Sequence, residues 1–410
     1  MNTGRTRRGR MYDVIIVGAG PAGTSSARTC AAAGLKTALI DKNRFPRPKP
    51  CGGAVSEQAL SYLDFTLPPD IREQECFGAR VHYQGHSVQV TKQHRIAVLV
   101  SRDKFDSFLL EKAIEAGAHF FPDEKCTAMT MRPDSVEVRT DTSAYQARYV
   151  IGADGVHSVV AQAVRPRFTQ EEVAVALVSN APVDDRQREG NLSGHLEMHF
   201  GLAPMGYGWV FPHRGYRSVG IMGIASKSFR HLDVLSEFSS NLGIPLKDVR
   251  GHLIPLGGIK RTIQSGRILL VGDAAGFADP FHGEGISYAI LSGKLAAKTV
   301  SDVVRTRRDD AAALSWYQHE CERLIRKNLR VARSMAILLG RFPKIFLRIF
   351  FDNPAALEKY LDIPAGKLDY EQFWKWLIMH TPSFFLSSWV NAASRHGDQH
   401  SAASGKGPVL

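Results

Sequence analysis

The chain has 410 residues and 45.2 kDa, with 44% hydrophobic and 22% charged residues, which excludes wholesale disorder, collagen and coiled coil and suits two or three domains. Lysine and arginine exceed aspartate and glutamate by 12, but residues 1–10 and 321–350 hold eleven of those charges, so an acidic partner would meet the ends and not the middle. Five cysteines (Cys30, Cys51, Cys76, Cys126 and Cys321) without a C-x-x-C argue against a disulfide framework or a zinc site and for a reducing cytoplasm.

In chain order, residues 1–10 read as a disordered basic tail. A cleaved leader is rejected, because the apolar run that follows has a better use. Residues 12–17 predict a strand, 21–33 a small-residue helix ended by Gly34, and 36–40 a second strand. Between the first strand and the helix stands Gly18-Ala19-Gly20-Pro21-Ala22-Gly23. Glycines there permit a tight turn and close approach of backbone to a pyrophosphate, and the helix start offers unpaired N–H groups. Asp41 ends the second strand, followed by Lys42, where a carboxylate can accept from ribose hydroxyls.

Residues 78–100 are β-rich, 103–116 predict a helix, and 149–153 and 267–271 predict two more buried strands. Residues 173–260 hold short β runs, 286–350 are mostly helical, and 351–394 are aromatic-rich and helical. Residues 395–410 read as a polar tail, and no segment is apolar enough to span a membrane as a helix. The expected fold is α/β: a Rossmann-type domain with an interleaved antiparallel β-sheet substrate domain and a helical C-terminal region. The expected limits are 11–75, 101–170 and 258–310 for the discontinuous nucleotide domain, 76–100 and 171–257 for the sheet domain, and 311–394 for the helical region.

Three further segments resemble the para-hydroxybenzoate hydroxylase-like branch of the glutathione-reductase superfamily. They are Arg102-Asp103-Lys104-Phe105-Asp106, Gly152-Ala153-Asp154-Gly155, and Gly272-Asp273-Ala274-Ala275-Gly276. That resemblance implies FAD, with Arg102, Asp154 and Gly155 near it and Asp273 on a ribityl hydroxyl. Pro280-Phe281-His282-Gly283-Glu284-Gly285 then precedes a helix from Ile286. N–H groups at that helix start can face the pyrimidine edge of a flavin, where charge gathers on reduction.

Two segments narrow the reaction. Lys49-Pro50-Cys51-Gly52-Gly53 and Tyr207-Gly208-Trp209-Val210-Phe211-Pro212 together resemble the geranylgeranyl reductase family, over roughly residues 11–340. The resemblance implies reduction of prenyl-chain double bonds, Cys51, Gly52 and Gly53 beside the flavin, and a prenyl lipid, quinone or chlorophyll precursor as substrate. An isolated alkene accepts hydride poorly and needs a proton on its other carbon, hence an apolar slot and a placed acid. Tyr207, Trp209 and Phe211 alternate and so share one face of a strand, a wall suited to a methyl-branched chain with Pro212 beside it. Cys51, next to the cation of Lys49, and His282 are candidate proton donors, with Tyr207 and Trp209 at the reacting centre.

His195, Glu197 and His199 alternate with metal-ligand types, but one strand makes a poor metal cage, and they read as a polar strand face. Arg326, Arg330 and Arg333 form a helical stripe opposite Leu324, Val331, Met335 and Leu338, and Phe342–Phe351 mixes aromatics with Lys344 and Arg348. This composition suits peripheral contact with the inner membrane face through residues 321–351. No nucleic-acid motif is present. The electron donor is open among NADPH, NADH and ferredoxin, since no second G-x-G-x-x-G marks a nucleotide domain, and oligomeric state leaves no mark. A flavin monooxygenase or halogenase acting on an apolar or aromatic substrate is the competing enzyme, and a prenyl-carrier protein of the Rab escort type the competing non-enzyme. Halogenases carry G-W-x-W-x-I-P where this chain has Tyr207 and Phe211, and the region after Cys51 has no lysine before Lys92.

Overall fold

The computed structural model describes residues 11–183, 194–226, 228–306 and 311–380. The tails and residues 381–394 of the expected helical region lie outside the described residues.

Strand Met11–Val17 buries nearly every residue, as a parallel strand covered on both faces must. It pairs in parallel with Thr37–Ile40 on one side and Ala144–Gly152 on the other. Ile268–Leu270 joins in parallel beyond Ala144–Gly152, so residues more than 250 positions apart share one sheet of eight strands. The small side chains of Pro21–Ala32 let the helix Ile286–Thr306 press against it. A Cβ at Gly293 would lie 2.5 Å from the carbonyl oxygen of Ala22. A Cβ at Gly272 would lie 2.9 Å from the Cβ of Ala22, so the two glycine-rich segments converge.

A second sheet runs Arg250–Pro255, Val173–Pro182, Tyr216–Ile224, Tyr207–His213, His195–Phe200, Gly78–Tyr83 and His86–Thr91. Only the pair Gly78–Tyr83 with His195–Phe200 is parallel. The stretch 78–100 is not one β unit. Ala97–Leu99 leaves the second sheet and bridges Ala54–Ser56 and Gln74–Cys76 in a third, three-stranded sheet. That small sheet carries the chain out of the Cys51–Gly53 segment.

The C-terminal helices Lys327–Arg341, Pro343–Asp352 and Pro354–Tyr360 pack their apolar faces on the second sheet's core through Met335, Leu339, Phe346, Phe350 and Tyr360. One expectation fails here. Residues Glu322–Arg326 form a π-helical turn ahead of Lys327–Arg341, and the stripe of Arg326, Arg330 and Arg333 does not lie wholly at the surface. Arg326 is buried, held by Glu322 and by the carbonyl oxygen of Arg261. Arg330 stays at the surface, 3.3 Å from Glu322. Among the described residues no helix is long and apolar enough to cross a membrane.

Candidate active site

At the first glycine-rich turn, two glycines serve the fold and one faces open space. Gly18 has φ +102°, and a Cβ there would lie 2.3 Å from the carbonyl oxygen of Ala153. A Cβ at Gly23 would lie 1.7 Å from the carbonyl oxygen of Gly18. At Gly20, only Arg47 Nη2, 3.7 Å away, comes within 4 Å. No side chain caps the helix that starts at Pro21, so its first N–H groups and partial positive charge remain available to an anion. Arg47 Nε is buried without a partner, while its Nη2 lies 3.2 Å from Asp106.

Asp41 is buried at the end of Thr37–Ile40. Its carboxylate accepts from the N–H of Ala19 (2.7 Å) and of Asn43 (2.8 Å), which ties it to the turn. Lys42 is exposed. Asp154 spends its carboxylate on the N–H groups of Val159 (2.7 Å) and Val160 (3.2 Å) and on the Ser158 hydroxyl. These bonds tie Asp154 to the residues that follow it, and a Cβ at Gly155 beside it (φ +79°) would have nothing within 4 Å.

Arg102 forms a two-point ion pair with the fully buried Asp106, at 2.8 and 2.9 Å. Burial opposes the Arg102 charge, but Asp106, with Cys51 nearby, holds its pKa above the ordinary value. Lys49 stands in the same group. Burial, helped by Arg102, pushes its ammonium down to about 8, against the pull of Asp273 and Cys51. For Asp273, burial opposes ionisation, but His252 (3.6 Å), Lys49 and Arg102 bring its pKa below the ordinary value. Cys51, Arg102 and Asp273, from three separate motifs, thus meet around one polar interior. The other four cysteines are buried elsewhere, and Cys51 is partly accessible.

The second sheet supplies the opposite wall. Tyr207, Trp209 and Phe211 are 5–7% exposed, with successive ring centroids 6.3 Å apart. Gly220 makes room for the indole, since a Cβ there would lie 2.2 Å from Trp209 Cζ2. The Cys51–Gly53 segment lies on the rings. A Cβ at Gly52 would come within 3.0 Å of Phe211 and 3.2 Å of Trp209 Nε1. Strand alternation corrects the placement of Pro212. It shares the face of Val210, away from the three rings, and does not extend the wall.

Tyr207 links the wall to the second glycine loop. Its hydroxyl donates to the carbonyl oxygen of His282 at 2.5 Å, and burial pushes its pKa up. Met222, on the neighbouring strand, would lie 2.6 Å from a Cβ at Gly283 (φ +74°). Glu284 turns back to cap the next helix, accepting from the N–H (2.7 Å) and hydroxyl (2.5 Å) of Ser287, and burial raises its pKa. Gly285 lies 3.6 Å, measured from a Cβ, from Asp273 Oδ1. Pro280 is buried, and Ile286 packs into the core cluster of Phe105. His282 Nδ1 lies 2.7 Å from the Tyr370 hydroxyl, 3.2 Å from that of Tyr360 and 3.3 Å from Asp279. Sequence reading missed both tyrosines. Their signal was only an aromatic-rich C-terminal composition.

On the sheet's outer face, His199 stacks on His82 of the adjacent strand, at 4.2 Å and 5° between planes. Glu197 is within reach of both but is bridged to Arg80 at 3.0 Å. Parallel stacked rings aim their in-plane lone pairs side by side and not at one point, so the geometry suits a packed pair better than a metal cage. His195 is separate, bonded to Thr91 at 2.8 Å.

Comparison with known proteins fits this geometry. The family described as FAD binding domain matches residues 11–198. The chain is 31% identical over 301 residues to geranylgeranyl diphosphate reductase of Rhodobacter capsulatus, covering 70% of this chain and 74% of that one. The chain belongs to the geranylgeranyl reductase family. It is an FAD-dependent oxidoreductase. It is also 31% identical over 364 residues to menaquinone reductase of Mycobacterium tuberculosis, covering 81% of this chain and 85% of the relative. Among solved structures, a geranylgeranyl bacteriochlorophyll reductase-like protein of Thermoplasma acidophilum superposes with TM-score 0.74 at 23% identity, covering 92% and 98% of the two chains. A flavin-dependent brominase superposes at 0.71 with 17% identity, covering 91% and 100%, which extends the likeness of fold alone. The uncapped helix start, the open space at Gly20 and the orphaned Arg47 Nε fit the pyrophosphate of FAD.

Proposed function

We propose that this reductase saturates carbon–carbon double bonds of a geranylgeranyl-type chain, carried by a prenyl lipid, a quinone or a chlorophyll precursor. One observation carries the reading. The three-ring wall is buried directly beneath the Cys51–Gly53 segment and hydrogen-bonded to the loop at His282. Such a wall orders a flexible apolar chain by contact with few rotatable bonds of its own.

Bound FAD, once reduced, supplies the hydride. The chain's residues do the rest. Gly18, Gly20, Ala22 and Gly23 would hold the pyrophosphate and Asp41 the ribose side, with Arg102 nearby. Gly272 and Asp273 would meet the ribityl chain, and the loop Pro280 to Gly285, with Ile286, the pyrimidine edge. Cys51 and His282 are the proton donors this arrangement offers, and Tyr207, Trp209 and Phe211 exclude water. The domain limits given by the sequence, with the sheet domain at 76–100 and 171–257, remain part of the same proposal.

The competing halogenase reading loses its lysine. Halogenases need a lysine between flavin and substrate, and the first lysine after Cys51, Lys92, is engaged by Asp362 at 3.0 Å and Glu358 at 3.4 Å. The helix Pro343–Asp352 supports delivery of the lipid from a membrane surface. Phe346, Leu347 and Phe350 pack inward, Phe346 against Phe281 of the flavin loop at 5.9 Å. Phe342 and Ile345, 48% and 60% exposed, face outward among Arg341, Lys344 and Arg348. That pattern suits peripheral binding to anionic lipid at the inner membrane face.

The test is product analysis. The dithionite-reduced protein is given a geranylgeranyl lipid, a menaquinone and, in air with bromide, an aromatic acceptor. The reading expects a prenyl product heavier by two hydrogen atoms for each bond reduced. A halogenated or hydroxylated product, with prenyl chains untouched, overturns it.

A further inference from the structure

His213 ends the strand Tyr207–His213, directly after the wall, and its side chain is 1% exposed. Its Nε2 lies 2.9 Å from the carbonyl oxygen of Gly52, and its Nδ1 lies 2.6 Å from Oε2 of Glu73, whose side chain is 7% exposed. A carbonyl oxygen only accepts, so Nε2 carries a hydrogen and the tautomer is fixed. A further proton lies in the short contact between Nδ1 and Glu73. The Tyr216 ring stacks on the imidazole at 4.4 Å and 10°.

The other side of this clamp is the loop carrying Cys51. The carbonyl oxygen of Gly53 accepts from Val100 N–H at 2.9 Å, and Gly53 N–H points to Cys51 Sγ at 3.4 Å. With φ +79°, Gly53 admits no side chain: a Cβ would lie 2.6 Å from His213 Cε1 and 2.5 Å from the carbonyl oxygen of Val100. The ring therefore touches the loop at two successive residues, and the loop in turn lies on Phe211 and Trp209.

We propose that His213, oriented by Glu73, is a positioning residue that clamps the Gly52 carbonyl and so fixes Cys51 against the aromatic wall. Its catalytic consequence rests on the function proposed above, but its geometric claim does not, because Cys51 has a reactivity of its own. The remaining cysteines, Cys30, Cys76, Cys126 and Cys321, are buried and act as internal controls.

The experiment is iodoacetamide labelling of the FAD-loaded protein, read cysteine by cysteine by mass spectrometry, with kcat and KM measured alongside. His213→Phe keeps the ring volume and removes both ring nitrogens. It should raise labelling at Cys51 about tenfold, the factor expected from one lost buried hydrogen bond, and leave the other four unchanged. Its kcat should fall by a similar factor while KM stays within about twofold. Glu73→Gln keeps a partner for Nδ1 and leaves Nε2–H on Gly52, so it should label nearly as the parent does. Unchanged Cys51 labelling in folded His213→Phe overturns the proposal, and so does a rise at all five cysteines together, which marks a merely structural role. If His213→Phe does not fold, Glu73→Ala reads the same quantity, with the same rise supporting and the same two results contradicting. Loss of the labelling effect with prenyl reduction intact contradicts the clamp alone. The labelling effect with no prenyl reduction in the parent contradicts the proposed function alone.

Discussion

Gly23, in the helix Pro21–Ala32 that packs on the first large sheet, and Trp209, in the second, are both buried and serve opposite halves of one site. At Gly23 the absence of a side chain is the requirement, because any Cβ would collide with the Gly18 carbonyl oxygen. At Trp209 the side chain is the requirement, and a neighbouring glycine, Gly220, yields the space for it. The nucleotide half is thus made of backbone, held by a local turn. The wall is made of side chains, held by strands and loops distant in sequence. A backbone-made site fails outright when its turn is filled. A side-chain-made site degrades by steps, and its two halves should be separable by mutation.

The largest effect is expected at the turn. Gly23→Val puts a branched side chain where a Cβ already overlaps by contact at 1.7 Å. It should lose bound FAD entirely and destabilise the protein by more than about 4 kcal/mol, read by flavin absorbance after gel filtration and by urea unfolding. Trp209→Ala comes next. It should retain FAD, lose about 3–5 kcal/mol of stability through the cavity it opens, and lose about 100-fold in kcat by misplacing the chain. Retained FAD with unchanged prenyl turnover in Trp209→Ala would break the division of labour between the sheets.

Lys49 sharpens the comparison by pH. Its ammonium titrates near 8 against an ordinary 10.5, burial being the main cause. The charge therefore costs folding stability at neutral pH, and that cost disappears as pH rises from about 8 to 10.5. For an anionic cofactor the sign is opposite: affinity should be flat below pH 8 and fall above it. Lys49→Met should bind FAD more weakly, without the step at 8, and be no less stable than the parent at neutral pH, as equilibrium dialysis and thermal melts across pH would show.

The smallest effect belongs to the outer face of the second sheet. Burial, with His82 beside it, pushes the His199 imidazole down to about 4 from 6.5. Between those values the unfolded chain binds a proton that the folded chain refuses, so stability should fall as pH drops from 6.5 toward 4. His199→Asn should flatten that fall in urea midpoints and leave turnover at neutral pH within about twofold.

The same contrast explains what could be read in the sequence. The glycine turn and Asp41 were legible because each rule acts within a few residues, whereas Arg102 and Gly272 to Gly276 were expected from resemblance to a known family, whose motifs are short and ordered along the chain. The alternation of Tyr207, Trp209 and Phe211 gave the wall's face, and that same alternation removes Pro212 from it. Arg326 misled because its guanidinium is buried on Glu322 and on the Arg261 carbonyl oxygen, 65 residues away. Tyr360, Tyr370, Glu73 and His213 were invisible as site residues. Their partners lie from 78 to 161 residues away, and only the packed sheets bring them together.

The most direct measurement is anaerobic. The FAD-loaded protein is reduced with dithionite, freed of excess reductant and mixed with a geranylgeranyl lipid, and flavin absorbance is followed for the parent and Trp209→Ala. The account predicts that the lipid reoxidises the parent flavin without oxygen, and that Trp209→Ala does so about 100-fold more slowly with its FAD still bound. A parent flavin that stays reduced until air is admitted, whichever prenyl lipid is offered, would contradict it.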